Sequence, residues 1–373
     1  MSPVKYHYDQ FPPSHLDWEK LVPYIGPANA AIARYDGLLE AIPNAAVLLS
    51  PLTTQEAVLS SRIEGTQATI GEVLEFEAGK LHALTSTAKR DDIQEVLNYR
   101  KAMNHAMHLL DTLPISQRLI KEVHRVLMDS VRGHNKAPGE YRKIPNWIGP
   151  TGCTIEEARF IPISADKLPQ GMSDFESFIH SETVGDKLTQ LAILHAEFEA
   201  LHPFLDGNGR LGRMLVPLFL WNAGILRAPM FYISAYFEAH RESYYNKLLA
   251  VSEKKDWTEW IIFFLKALTE QADMNCSRAS EILNLYNNKK DELVKLTHSQ
   301  YTIRALDWIF ENPIFKSSDF VDNSGISSAT ARRIISAFKE GEILFTLEEA
   351  SGRSPAVYAF VELLSIAEGR NVS

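Results

Sequence analysis

Apolar residues recur at helical spacing through most of this chain, and few stretches alternate in the two-residue rhythm of a strand. That pattern predicts a mainly α protein. The clearest run is Leu188–Leu201, LTQLAILHAEFEAL, and Met214–Leu220 stays apolar beyond it, so the turn Gly207-Asn208-Gly209 is expected between two helices. Upstream, a helix is expected over Pro27–Ala41 and another from about Thr53. There Thr53 and Glu56 have capping-box spacing, and Gly65 suits the C-terminal cap. Asp256–Gln271 and Cys276–Leu296 read as two further helices, the second long and charged enough to be a connector.

The rhythm changes toward the C-terminus. Thr302–Phe310 and Ser317–Val321 read as helices, Asn323-Ser324-Gly325 as a turn, and Ser327–Lys339 as another helix. Ile343–Leu347 and Ala356–Phe360 then form a hairpin around Gly352. Helix, helix-turn-helix and hairpin is the winged-helix order. The chain therefore divides into an N-terminal helical region (1–89), a core (90–275), a connector helix (276–296) and a winged-helix-like module (297–373).

Charge alters one part of this picture. Arg332, Arg333 and Lys339, with Arg353 on the wing, could face phosphates of DNA. Yet residues 297–373 carry seven Lys and Arg against ten Asp and Glu, a net of −3. DNA-binding modules show a basic footprint, so protein contact or packing within the chain is favoured over DNA. The whole chain, at −9, exerts no general pull on nucleic acid either. With 373 residues, 45% of them hydrophobic, the chain can bury a sizeable core. No apolar run reaches the length of a membrane span, and MSPVKYHYDQFPP lacks the plan of a signal peptide. Cys153 and Cys276 suggest neither a disulfide framework nor a zinc site. A cytoplasmic protein without membrane contact is the expectation.

The densest chemistry is His202-Pro203-Phe204-Leu205-Asp206-Gly207-Asn208-Gly209-Arg210-Leu211-Gly212-Arg213. Backbone N–H groups of a glycine turn leading into a helix form an anion site. Arg210 and Arg213, at i and i+3, place two cations at the end of a helix that favours anions. A bound phosphate resolves that misfit. Asp206 would be unwelcome beside phosphates unless Mg²⁺ lies between them, and His202 is basic enough to take a proton from a hydroxyl. Metalloprotease chemistry is disfavoured: His195, Glu199 and His202 follow one another, but no HExxH occurs.

The string resembles HPFx[D/E]GNGRxxR, the signature of Fic-domain proteins, at every defined position. The resemblance implies a Fic helical core with a small β-hairpin flap. It implies His202 as base, Asp206 on Mg²⁺, and Gly207, Asn208 and Gly209 around the α- and β-phosphates, with Arg210 assisting and Gly212 within the same cradle. Arg213 would hold the γ-phosphate. The implied reaction transfers AMP from ATP to a Ser, Thr or Tyr hydroxyl of a target protein, and of the enzyme itself. Gly209 stands where the kinase-like branch carries lysine, which favours adenylylation.

Ser60-Ser61-Arg62-Ile63-Glu64-Gly65 is similar to the family's [S/T]xxxE[G/N] inhibitory helix. By that resemblance Ser60 and Glu64 restrain Arg213 and displace the γ-phosphate. Gly139–Arg142, Asn146–Gly149 and Ala158–Pro162 resemble the segment ending in the flap, which aligns the target by strand pairing. Glu157, Ala158, Arg159 and Phe160 would be its working part. Arg241-Glu242-Ser243-Tyr244-Tyr245 resembles RxxYY, whose tyrosines, here Tyr244 and Tyr245, lie near adenine; His240 departs from the usual asparagine. Winged-helix modules accompany some Fic proteins, and such proteins often pair as homodimers. Two alternative functions stay open: a transcriptional regulator sensing nucleotide through the core, and a bifunctional enzyme whose Glu64 positions water to remove AMP.

Overall fold

The computed structural model describes residues 2–79, 86–129, 134–150, 152–352 and 354–370. A short strand, β1 (Val4–Lys5), precedes α1 (Trp18–Ala41), α2 (Ala45–Leu48) and α3 (Ser50–Ile63). Next come α4 (Ile70–Glu77), α5 (Thr87–Leu110) and α6 (Gln117–Leu127). Strand β2 (Phe160–Ile161) leads to α7 (Leu168–Ile179), α8 (Lys187–Leu201) and α9 (Asn208–Asn222). Then follow α10 (Ser234–Ala239), α11 (Arg241–Lys254) and α12 (Trp257–Thr297). The C-terminal run is α13 (Thr302–Glu311), β3 (Ile314–Lys316), α14 (Ser317–Asn323), α15 (Ser328–Glu340), β4 (Phe345–Glu348), β5 (Val357–Ala359) and α16 (Val361–Glu368).

The protein is mainly α, and several helices run further than local signals suggest. α1 begins at Trp18 and passes through Pro23 and Pro27. Its buried stripe, Leu21, Ala28, Ile32, Tyr35 and Leu39, outweighs the backbone bonds that two prolines remove. α12 is one helix of 41 residues, where the sequence pattern predicts two. At the expected break Gln271 and Asn275 are buried, and Gln271 accepts a hydrogen bond from the Tyr236 amide at 3.1 Å. α3 starts at Ser50, which puts Thr53 inside its first turn; the capping box forms at Thr69 and Glu72. The expected C-terminal hairpin gains a third strand, in the order β3-β5-β4, and α16 follows it. Arg353 lies outside the described residues.

Two compact units form, and neither is continuous in sequence. The first comprises residues 1–36, 59–65 and 97–273. At its centre α8 is buried on nearly every face, packed by α7, α9 and α11. A helix in that position must satisfy each polar side chain internally. Gln190 donates to the carbonyls of Phe178 and Ser181, and His195 meets the Tyr244 hydroxyl at 2.8 Å. Glu197 accepts from Tyr6 Oη at 2.6 Å and lies 2.8 Å from His7 Nε2. Tyr6 and His7 belong to the N-terminal segment, whose β1 pairs in parallel with β2.

The second unit comprises residues 37–58, 66–96 and 274–373. Its small sheet is backed by edge-to-face aromatic contacts of Trp308 with Phe315 and Phe320. α13 packs on α2, while β3 and α16 pack on α4. The C-terminal module thus shares a core with two short helices from the first hundred residues.

Candidate active site

The signature string bridges α8 and α9. α8 ends at Leu201, and His202 takes the left-handed conformation, φ 46° and ψ 60°, so the chain turns sharply there. Gly207, at φ 78°, is the N-cap of α9. Asn208 and Gly209 therefore open the helix instead of lying in a turn, and Arg213 sits in the second turn. The amides of the first helical residues lack partners within the helix, which leaves donors and the positive dipole end for an anion.

Side chains within the loop fix its shape. Asn208 Oδ1 accepts from the Phe204 amide and Nδ2 donates to the Phe204 carbonyl, both at 2.9 Å. The Asn208 carboxamide thereby holds the loop in shape with its oxygen and one of its two N–H donors. Asp206 Oδ1 accepts from the Gly207 amide at 2.6 Å and lies 3.7 Å from Arg210. The Asp206 side chain is about half exposed, at 47%. Among the described residues no three acids, histidines or cysteines gather as a metal group. One partly exposed carboxylate nevertheless fits Mg²⁺, which takes one or two carboxylates and completes its shell with phosphate and water.

Arg213 is buried and held from the α3 side. Nε donates to Ser60 Oγ at 3.0 Å, and Nη2 donates to the Ser60 carbonyl at 2.9 Å and to Glu64 Oε1 at 2.6 Å. Burial alone would push the Glu64 pKa up, but the charge and hydrogen bond of Arg213 hold it below the ordinary carboxylate range. Gly209 makes this approach feasible: a Cβ there would stand 2.2 Å from Glu64 Oε1. Gly212 has a similar task, since its Cβ would stand 2.4 Å from Glu199 Oε1.

Ile63, Glu64, Glu199, His202, Gly209 and Arg213 line one cavity of about 500 Å³, closed on other sides by Ile148, Arg159, Phe160, Arg241 and Tyr245. Burial pushes the His202 pKa down to about 4, so its ring is neutral near pH 7 and ready to accept a proton. Tyr245 faces this space, whereas Tyr244 is wholly buried, bonded to His195 and stacked on Phe237. Burial holds the Tyr244 phenol far above its usual pKa, and the residue belongs to the core.

The flap segment is shorter than expected. Ile148 and Phe160 form one antiparallel bridge. On the other edge Val4 donates to the Arg159 carbonyl at 3.2 Å, and Tyr6 to that of Ile161 at 2.9 Å. Arg159 and Phe160 thus already have backbone partners within the chain. Glu157 accepts from the Thr154 amide at 2.9 Å, Ala158 is buried, and the Arg159 guanidinium donates to Asn246.

Two site residues carry no signal in the motif itself. Arg142 donates through Nε to the His202 carbonyl at 2.9 Å and through Nη2 to the carbonyls of Ile163 and Leu201. Burial lowers its pKa to about 10, which leaves it charged at neutral pH. His124 stacks on Phe204 at 3.6 Å. Its Nδ1 accepts from the Gly139 amide at 2.9 Å, so Nε2 carries the proton and donates to the Asp206 carbonyl at 3.0 Å. A histidine on the apolar face of α6, between Val123 and Leu127, is the signal in the sequence that could have pointed to it.

Comparison with known proteins gives the chain's family. The family description "Fic/DOC family N-terminal" matches residues 22–108, and "Fic/DOC family" matches residues 114–220. A probable protein adenylyltransferase of Aquifex aeolicus is 26% identical over 270 residues, covering 71% of this chain and 75% of the relative. The protein adenylyltransferase Fic of Drosophila erecta is 25% identical over 198 residues, covering 52% of this chain but only 36% of its own length. Among solved structures, a Fic family protein from Desulfovibrio desulfuricans superposes with a TM-score of 0.59 at 22% identity, covering 94% of this chain and 98% of that one. A Fic domain containing signaling protein from Bacteroides thetaiotaomicron gives a TM-score of 0.54 at 19% identity, covering 70% and 97%. With the family's N-terminal and main segments matched in order along one chain, around a site built from its signature, this protein belongs to the Fic/DOC family.

Proposed function

We propose that the protein transfers AMP from ATP to a hydroxyl of a target protein, and of itself, and that Glu64 restrains the reaction. One observation carries this reading: Arg213, the cation best placed for a phosphate, is held by Ser60 and Glu64 on the wall of the cavity that also contains His202. The first amides of α9 cradle the phosphates, and Arg210 and Arg213 balance their charge. Asp206 would hold Mg²⁺, which supplies charge neutralisation at the phosphates when bound. The target hydroxyl passes its proton to His202 as its oxygen bonds to the α-phosphorus; the bond to the bridging oxygen breaks and pyrophosphate leaves. Tyr245, not Tyr244, faces the nucleoside. The relatives above carry the name protein adenylyltransferase, and Gly209 keeps the phosphate register of that branch.

The C-terminal module has the helix and strand order of a winged helix, and we assign it to protein contact. Arg332 and Arg333 are exposed, but Lys339 lies over the Tyr358 ring at 5.3 Å. The outer strand β4 presents Phe345 and Leu347 to solvent, a poor surface for phosphates.

Glu64→Gly and Glu64→Gly/His202→Ala proteins, incubated with α-³²P-ATP and Mg²⁺, test the reading. Label retained by the first and lost from the second is expected. Equal labelling of both would remove His202 as base. Absence of ATP binding to either would end the adenylyltransferase reading.

A further inference from the structure

Glu199 precedes His202 by three residues in the last turn of α8, and the chemistry above leaves it without a task. Its carboxyl lies on the same cavity wall as Glu64, His202, Gly209 and Arg213. Oε1 is buried and makes no hydrogen bond. The fold makes room for this unpaired oxygen through Gly212, where a Cβ would stand 2.4 Å away. A glycine inside a helix costs about 1 kcal/mol relative to alanine, so the space is kept against a local penalty. Unsatisfied buried polar atoms in a ligand cavity are groups that a ligand can satisfy.

The surroundings decide in which protonation state Glu199 would meet that ligand. Arg213 faces it from α9, Glu64 from the end of α3, Tyr244, Tyr245 and Arg241 from α11, Arg159 from the segment before β2, and His202 from the loop after its own helix. Burial raises the Glu199 pKa most, Arg213 opposes this and Glu64 adds to it, leaving it at about 7. A triphosphate would bring several negative charges to the same wall and favour the neutral acid further.

We propose that Glu199 is a further nucleotide-binding residue, which meets the triphosphate as a neutral carboxylic acid and donates a hydrogen bond to a phosphate oxygen. The inference rests on the nucleotide reading above. Binding then takes up one proton at this side chain, so affinity and pH are linked.

Calorimetry on the full-length Glu64→Gly protein, with α,β-methylene-ATP as a ligand that cannot release AMP, tests this. Titrations near pH 8 in two buffers of different ionisation enthalpy report proton uptake. About one proton per nucleotide is expected, with Kd weakening about tenfold per pH unit above 8. Glu64→Gly/Glu199→Gln keeps a neutral donor that needs no proton, so near pH 8 it should bind at least as tightly as its parent while losing the uptake. Glu64→Gly/Glu199→Ala should bind about tenfold more weakly, the value of one hydrogen bond to a charged group. Should position 199 resist substitution, the pH profile of the parent alone decides: a flat profile overturns the proposal. Equal uptake in parent and Gln variant also overturns it, with nucleotide binding intact. No binding by any of these proteins overturns the nucleotide reading as well.

Discussion

On the proposed reading, His202 is the group that would take the proton of a target hydroxyl in this cavity. Its ring is neutral because burial lowers the pKa to about 4, so in that role it would act as an acceptor across the physiological range. His202→Ala removes that acceptor without disturbing the phosphate cradle. Transfer should fall by about 10²- to 10⁴-fold while the Kd for ATP stays within about threefold. Single-turnover kinetics beside calorimetry would show this, and a Kd rising in step with the lost rate would mean that the ring binds nucleotide. Gly207 meets two demands of the backbone: it sits at φ 78°, and a Cβ there would stand 2.8 Å from Met128 Sδ. Gly207→Ala should cost about 1–2 kcal/mol from conformation alone, read as a lower urea midpoint; unchanged stability would show that the loop can adopt another path.

Elements position these residues by tying distant segments to α8 and its C-terminal loop. Arg142 holds the carbonyls of Leu201 and His202, and the β1 segment joins the flap strand to α8 through Tyr6, His7 and Glu197. His7 also lies 2.7 Å from Ser252 of α11, so one tail residue links two helices. His7→Ala takes from the buried Glu197 carboxylate one of its two side-chain partners among the described residues, and should destabilise the protein by about 3–5 kcal/mol. Tyr6→Phe removes one hydrogen bond to a charged group and should cost about 1.5–3 kcal/mol. Hydrogen exchange would separate a local from a global effect: faster exchange confined to Phe160 and Ile161 would mean that the tail anchors only the flap.

For the whole molecule, four buried groups give stability a pH dependence of defined sign. Burial lowers the pKa of His124 to about 4, of His195 to about 3 and of His202 to about 4. The unfolded chain therefore binds protons at these histidines below about pH 6.5, and their contribution, complete above that value, is lost as pH falls toward 4. Glu199 acts in reverse, since its raised pKa of about 7 makes its contribution greatest at low pH and lost as pH rises through 7. Between about pH 4.5 and 5.5 these four groups together release stability as pH falls, at about 2.7 kcal/mol per unit, for about two net protons taken up on unfolding. Urea denaturation at a series of pH values would measure the slope. A flat response from pH 7 to 5 would mean that the histidines are not held neutral.

The local pattern along the chain was enough to read a mainly helical protein and the helices flanking the signature, and it singled out the cluster His202–Arg213 and Glu64, which the fold brings to one cavity. Each is carried by residues adjacent in sequence or by a periodicity set by backbone geometry. Local signals erred where burial overrode them. Pro23 and Pro27 did not stop α1, and the polar residues near Gln271 did not interrupt α12. Tyr244 and Tyr245, adjacent in sequence, point to different places because a helix turns about 100° per residue: one reaches the core and the other the cavity. The pairing of β1 with β2, the clamp of Arg142 on His202, and the space that Gly212 keeps for Glu199 join residues far apart in the chain or on neighbouring helices. Those relations depend on distances that only packing sets, and they were decided by the tertiary structure.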